Sequence, residues 1–246
     1  MASFDLRIGT AGWSLPAAVA DRLPGAGAHL ERYARVMNAA EINSSFHRPH
    51  RRTTYERWAE STPDAFRFSV KLPRLLTHGQ RLADPDVILD RFCGEVGGLG
   101  PKLAVLLVQL PPSLKYDAAT ADAFFAAVRA RIDVPVVCEP RHADWFTPAV
   151  DAWLADRRIA RVAADPAKPA GAADPGGWRG LSYFRLHGSP RMYYSAYPPE
   201  VLADLALRLR RDADARPTWC ILDNTAGSQA LPDALTVMTA VGQERV

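Results

Sequence analysis

Eight apolar runs, at 6–13, 39–46, 66–72, 103–110, 134–140, 158–165, 181–188 and 218–224, recur along this 246-residue chain, most of them separated by segments of helical period. Few folds suit that alternation, because every strand needs hydrogen-bonded neighbours and every amphipathic helix needs a sheet face to cover. Leu30, Tyr33, Ala34 and Met37 fall on one face of a first helix, and Thr53 with Glu56 predicts a capping box opening a second. Asp84-Pro85 predicts a cap and a first helical position before the stripe Ile88, Phe92 and Val96, and Thr147-Pro148 repeats that opening ahead of Val150, Trp153 and Leu154. Pro198-Pro199 precedes Leu202, Leu205 and Leu209, and a last helix is expected over 231–241. Between the sixth and seventh runs, A-K-P-A-G-A-A-D-P-G-G-W-R-G is built of helix breakers and predicts a long loop. Eight strands with about seven helices predict an α/β protein, a single (β/α)8 TIM-type barrel with a helix-poor connection between strands six and seven, forming one domain over 1–246.

Other classes are excluded by composition. The longest apolar run, 103–110, is interrupted by Gln109 and falls far short of the roughly 20 residues a membrane span needs. The N-terminus shows no charged segment followed by an apolar one, so no export signal is expected and a cytoplasmic protein is. Cys93, Cys138 and Cys220 stand far apart inside apolar segments, which predicts buried thiols rather than disulfides or a zinc knuckle. No G-x-G-x-x-G follows the first run, so no nucleotide cofactor is expected. The net charge is only +3, so where charge sits matters more than its sum.

In a barrel of this kind the loops after the strands converge at one end, and chemistry gathers there. All eight runs end on polar residues: Thr10 and Trp13; Glu41, Asn43, Ser45 and His47; Lys71; Gln109; Glu139, Arg141 and His142; Asp165; Arg185 and His187; Asp223 and Asn224. Alternation puts Tyr183, Arg185 and His187 on one strand face and Phe184 and Leu186 on the other, so the polar set should point inward. The same loops are basic, with R-P-H-R-R at 48–52 and Arg74, His78, Arg81, Lys168 and Arg191. Any one of these features is compatible with a solvated surface; their common address points to an anionic ligand.

G-T-A-G-W (9–13), E-I-N-S-S-F (41–46), F-R-F-S-V-K (66–71), Q-L-P-P (109–112), E-P-R-H-A-D-W-F (139–146), R-L-H-G (185–188) and D-N-T (223–225) together resemble the YecE-like family, domain of unknown function 72. The resemblance runs in order from about residue 6 to about residue 240. It implies a TIM-type barrel and supplies no activity. Asp144 stands where a serine is usual in that family, and Asp223 where asparagine is common.

Three functions suit this pattern. The first is an enzyme, a hydrolase or lyase, using acid–base chemistry on a small anionic substrate. In it Glu139, His187, Glu41 and Asp165 are the catalytic candidates, and Lys71, Arg141, His142, Arg185, Asn43, Gln109, Trp13 and Asn224 hold the substrate. The second is a metal-dependent phosphoester hydrolase acting on nucleic acid, with Glu41, Glu139, His142, Asp165, His187 and Asp223 as possible ligands of a divalent ion and Trp13, Phe46, Trp145 and the tyrosines of 193–197 stacking on bases. The third is a binding protein without turnover. If the charges at 139 and 187 serve a ligand and not the fold, Glu139→Gln and His187→Ala should each cost no more than about 1 kcal/mol.

Overall fold

The computed structural model describes residues 5–242; the outermost four residues at each end of the expected 1–246 domain, and with them the start of the N-terminal segment, lie outside that range. The eight apolar runs become strands β1 (Leu6–Thr10), β2 (Ala39–Ile42), β3 (Arg67–Lys71), β4 (Leu103–Gln109), β5 (Val136–Glu139), β6 (Ile159–Arg161) with β7 (Ala163–Asp165), β9 (Ser182–Leu186) and β10 (Thr218–Leu222). The connection 166–181 holds no helix, only the two-residue strand β8 (Gly176–Gly177). Helices α1 (His29–Ala34), α2 (Arg52–Glu60), α3 (Asp86–Val96), α4 (Ala118–Arg129), α5 (Pro148–Asp156), α6 (Pro199–Ala213) and α7 (Ala230–Ala240) lie between or after them. No helix among the described residues is long and apolar enough to cross a membrane.

The strands form two sheets, ordered β1-β10-β9-β7 and β2-β3-β4-β5-β6-β8. Every pairing is parallel except that of β6 with β8. The run 158–165 was expected as one strand and is two: β6 pairs with β5, and after Val162 the chain hands over to β9 through β7. At the other border a parallel bridge joins Ala11 to Glu41. Gly9 permits the close approach there, because a Cβ at that position would collide with the Ala39 carbonyl.

Two apolar layers follow from strand alternation. Outward residues such as Phe68, Val108, Cys138, Phe184 and Leu222 pack under the helices, while Val105, Leu107, Val137, Tyr183, Trp219 and Ile221 pack against one another on the inner faces. Two helix starts differ from expectation. The N-cap of α2 is Arg51, so Thr53 lies inside the helix and forms no capping box. The N-cap of α3 is Pro85, and Asp84 takes a left-handed backbone conformation with φ 44° one residue earlier. Thr147 does cap α5, its hydroxyl accepting from Val150 N at 3.3 Å with Pro148 in the first turn.

Candidate functional site

The inner apolar layer gives way to charge at the carboxyl ends of the strands, where Glu41, Ser69, Lys71, Glu139, Tyr183, Arg185, His187 and Asp223 are all buried. At its centre is Arg185, with no exposed surface. Its Nε and Nη2 donate to the two oxygens of Glu41 at 2.9 and 2.6 Å. Nη1 donates to Glu139 Oε2 at 2.8 Å, Nη2 also to Asp223 Oδ2 at 3.0 Å, and Nη1 lies 3.4 Å from His187 Nε2. Four of the five guanidinium N–H donors thus go to carboxylates, and the fifth lies against His187 Nε2. Expected among the substrate-holding residues, Arg185 is turned toward the acids, which it organises.

His187 sits between two of those acids. Its Nδ1 is 3.0 Å from Asp223 Oδ2, and its Nε2 is 3.2 Å from Glu139 Oε1 and 3.0 Å from Arg141 Nη2. Arg141 also donates to Glu139 Oε1, from Nε at 2.7 Å and from Nη2. A carboxylate can only accept, so Asp223 assigns the Nδ1 proton to His187. Nε2 then has a partner in either state, donating to Glu139 or accepting from Arg141. Burial alone would raise the Glu139 pKa, but Arg185, His187 and Arg141 hold it well below the usual carboxylate range. Asp223 is likewise lowered, burial being outweighed by Arg185 and the His187 hydrogen bond. Tyr183 donates to Glu41 Oε2 at 3.2 Å and lies 2.8 Å from Ser69 Oγ, its own pKa driven well up by burial and by Glu41.

Lys71 differs from its neighbours. It is only 5% exposed, yet its Nζ makes no hydrogen bond or ion pair among the described residues and rests 4.0 Å from the centre of the Phe46 ring. Burial first, and then Arg185, push its pKa down to about 8, against the opposing pull of Glu41, Asp223 and Glu139. His78, following β3, stacks edge-on against Phe46 and is pushed down to about 4 by burial and by Lys71, Arg74 and Arg141, which leaves its imidazole neutral at ordinary pH. Phe46 is shared with a cavity of about 330 Å³ lined by Arg48, Arg74, Arg91 and one acid, Glu95.

Several expected site residues lie elsewhere. The Asp165 carboxylate accepts from Tyr197 OH at 2.6 Å; its link to the cluster is through the backbone, where its carbonyl accepts from His187 N at 2.7 Å. His142 caps the short turn 143–146, its Nδ1 accepting from Asp144 N at 3.2 Å. Asn224 spends its Nδ2 on Ser195 O at 2.9 Å and Asp233 Oδ2 at 2.7 Å, tying the loop after β9 to α7. Trp13 packs edge-on against Trp58 and Phe68 and shares with Asn43 a separate cavity of about 430 Å³ at the ends of β1 and β2. Gln109 is aligned with Glu139 across the sheet and makes no side-chain hydrogen bond among the described residues. Of the expected set, the structure thus gathers Glu41, Lys71, Glu139, Arg141, Arg185 and His187. His78, Tyr183, Ser69 and Phe46 were left out of that set; the first lies in the loop after β3, in the helical turn Leu75–Gly79, while the Tyr183–Ser69 contact joins strands 114 residues apart.

Among the described residues no group of three or more His, Cys, Asp or Glu side chains could hold a metal ion. The acids that come together already receive guanidinium donors, which would oppose a dication. Trp145 is buried, with its Nε1 donating to Leu114 O at 3.0 Å, and Tyr197 is buried against Asp165, so neither presents a face to a base.

A family model described as "Protein of unknown function DUF72" matches residues 7–246. "UPF0759 protein YecE" of Escherichia coli K12 is 33% identical over 82 residues, 33% of this chain and 30% of that protein. "UPF0759 protein YunF" of Bacillus subtilis 168 is 26% identical over 147 residues, 57% of this chain and 52% of that protein. The aligned segments thus span between about a third and a half of those relatives. Crystal structures of DUF72 family proteins share the fold: one from Enterococcus faecalis V583 has a TM-score of 0.82 at 19% identity, covering 97% of this chain and 96% of that one. One from Thermotoga maritima MSB8 has a TM-score of 0.78 at 21% identity, covering 97% and 99%.

Proposed function

This chain belongs to the DUF72 family, and we propose that it is a (β/α)8-barrel enzyme that carries out acid–base chemistry on a small anionic substrate at the carboxyl ends of its strands. Closure of the barrel is supported by the two seams between the sheets, the Ala11–Glu41 bridge and the handover at Val162. The observation that carries the function is the layering of charge. Glu41, Glu139 and Arg185 are fully buried, whereas the most accessible side chain of the cluster is a cation, Arg141 at 11% exposed, with Lys71 and Asp223 next at 5% each. An arriving ligand therefore meets positive charge first. Paired carboxylates beneath keep those cations in place without presenting a negative face.

In this reading Arg141 and Lys71 hold the anionic group, and the arginine-rich cavity beyond Phe46 receives the rest of the molecule. His187 moves the proton. Asp223 fixes its tautomer, and Glu139 or Arg141 completes the hydrogen bonding of Nε2 in either state. Calorimetric titration with inorganic phosphate and with sugar phosphates at low salt tests the binding step. A charge-assisted hydrogen bond of about 1.5–3 kcal/mol predicts affinity lowered roughly 10- to 100-fold in Arg141→Gln. Absence of binding to the wild type, or equal binding by Arg141→Gln and Lys71→Met, would overturn the proposal.

A further inference from the structure

The chain has four lysines, and only one of them is buried with its amine unengaged. Lys102 is tied down, its Nζ donating to Ala59 O and Thr62 O at 2.6 Å each and to Thr62 Oγ1 at 3.1 Å. Lys115 and Lys168 are exposed. Lys71 is anchored at the end of β3, where Ser45 Oγ donates to its carbonyl at 2.6 Å, while its Nζ lies over the Phe46 ring without a hydrogen bond or ion pair among the described residues. An ammonium has three donors, and burying it without acceptors is costly unless a ligand supplies them or the amine gives up its proton.

We propose that the Lys71 amine is a nucleophile that condenses with the carbonyl carbon of an anionic aldehyde or ketone, which deepens the proposed function and rests on it. The neutral nitrogen would attack the carbonyl carbon, forming the C–N bond as the carbonyl oxygen takes a proton. The carbinolamine then loses that oxygen as water, so that amine and carbonyl give an imine and one water with no change of oxidation state. His187, held by Asp223, and neutral His78 are the proton carriers within the cluster. A carboxylate or phosphate on the substrate would sit on Arg141.

Burial is the main cause that frees the Lys71 amine of its proton; among the charged groups Arg185 assists and Glu41, Asp223 and Glu139 oppose. Arg185 of β9 and the nearby Arg141 and His78 raise no negative charge against it, while Glu41 of β2, Glu139 of β5 and Asp223 after β10 are each bonded to a guanidinium. With a pKa of about 8 instead of 10.5, the neutral fraction at pH 7 rises roughly 300-fold. A less basic amine is also a weaker nucleophile. With a Brønsted slope of about 0.45, as for thiols, a net advantage of roughly 20-fold over an exposed lysine survives.

The test uses the intact protein at pH 7 with glyoxylate or pyridoxal 5′-phosphate and cyanoborohydride, which reduces an imine to a stable secondary amine. Peptide mapping by mass spectrometry should find Lys71 modified roughly 20-fold faster than Lys115 or Lys168, and inorganic phosphate should protect it. Lys71→Arg, which keeps the positive charge but has no amine able to form an imine, should lose the fast phase. Wild-type protein that binds phosphate but labels Lys71 no faster than Lys115 would overturn the imine and leave the anion site standing. Failure of both phosphate binding and labelling would overturn both.

Discussion

Arg185→Met asks whether the buried charges serve the fold or wait for a ligand. The substitution removes a side chain with no exposed surface that bonds three carboxylates, and the three are not left equal. Glu139 keeps Arg141 and His187, and Asp223 keeps His187. The Glu41 carboxylate keeps one hydrogen bond among the described residues, from Tyr183 OH to Oε2, and is wholly buried. Removing one partner of a buried ion pair costs about 3–5 kcal/mol, set against total stabilities of about 5–15 kcal/mol. With a urea m-value of about 2–3 kcal/mol/M for a chain of this size, the midpoint should fall by roughly 1–2.5 M at unchanged slope. Melts followed by circular dichroism would measure it. Glu41→Gln in the Arg185→Met background removes the orphaned charge while keeping an acceptor for Tyr183, and should recover about half of the loss or more. A single variant within about 1 kcal/mol of wild type, or a double variant worse than the single, would refute the reasoning. The same logic reverses the expectation from sequence for Glu139→Gln and His187→Ala. Glu139 accepts from Arg141, Arg185 and His187, and an amide would turn a donor toward one of them, so a cost above about 1 kcal/mol is now expected.

Three further outcomes follow from individual contacts. Lys71→Met should be more stable than wild type at pH 7 by about 1–3 kcal/mol, because burial lowers the folded-state pKa to about 8. In the wild type this penalty fades as pH rises from about 8 to 10.5, where the unfolded chain binds more protons than the folded one, so parallel melts at pH 7 and pH 10 should show the two proteins converging. Asp223→Asn should cost less than about 1 kcal/mol, since Oδ2 alone accepts from Arg185 and His187 and an amide oxygen can replace it there; a larger loss in a thermal melt would contradict that geometry. His142→Ala should lose about 1 kcal/mol as a removed cap and leave phosphate affinity unchanged by titration.

The sequence by itself determined the α/β alternation and the end of the strands at which polar side chains gather. Both are one-dimensional signals: apolar runs of strand length with helical segments between them, and polar residues where each run stops. Parity sufficed to put Tyr183, Arg185 and His187 on one face, because neighbouring side chains on a strand must alternate. The helix-poor connection was legible for a similar reason, since Pro and Gly act locally.

Tertiary structure decided what each polar residue does. Arg185, Glu41 and Glu139 look equally available for a ligand in sequence, but bonds spanning 144 and 46 residues make the first a hub and the other two its partners. Asp165, His142 and Asn224 occupy the same strand-end positions and are drawn instead to Tyr197, to Asp144 and to Asp233. The split of 158–165 into two strands also depends on which neighbours lie on either side. The physical reason is common to all of these. A buried charge is governed by the donors and acceptors within about 3 Å of it, and those come from strands far apart in the chain. Lys71 shows it best: nothing in F-R-F-S-V-K marks its amine as the one the fold leaves unbonded.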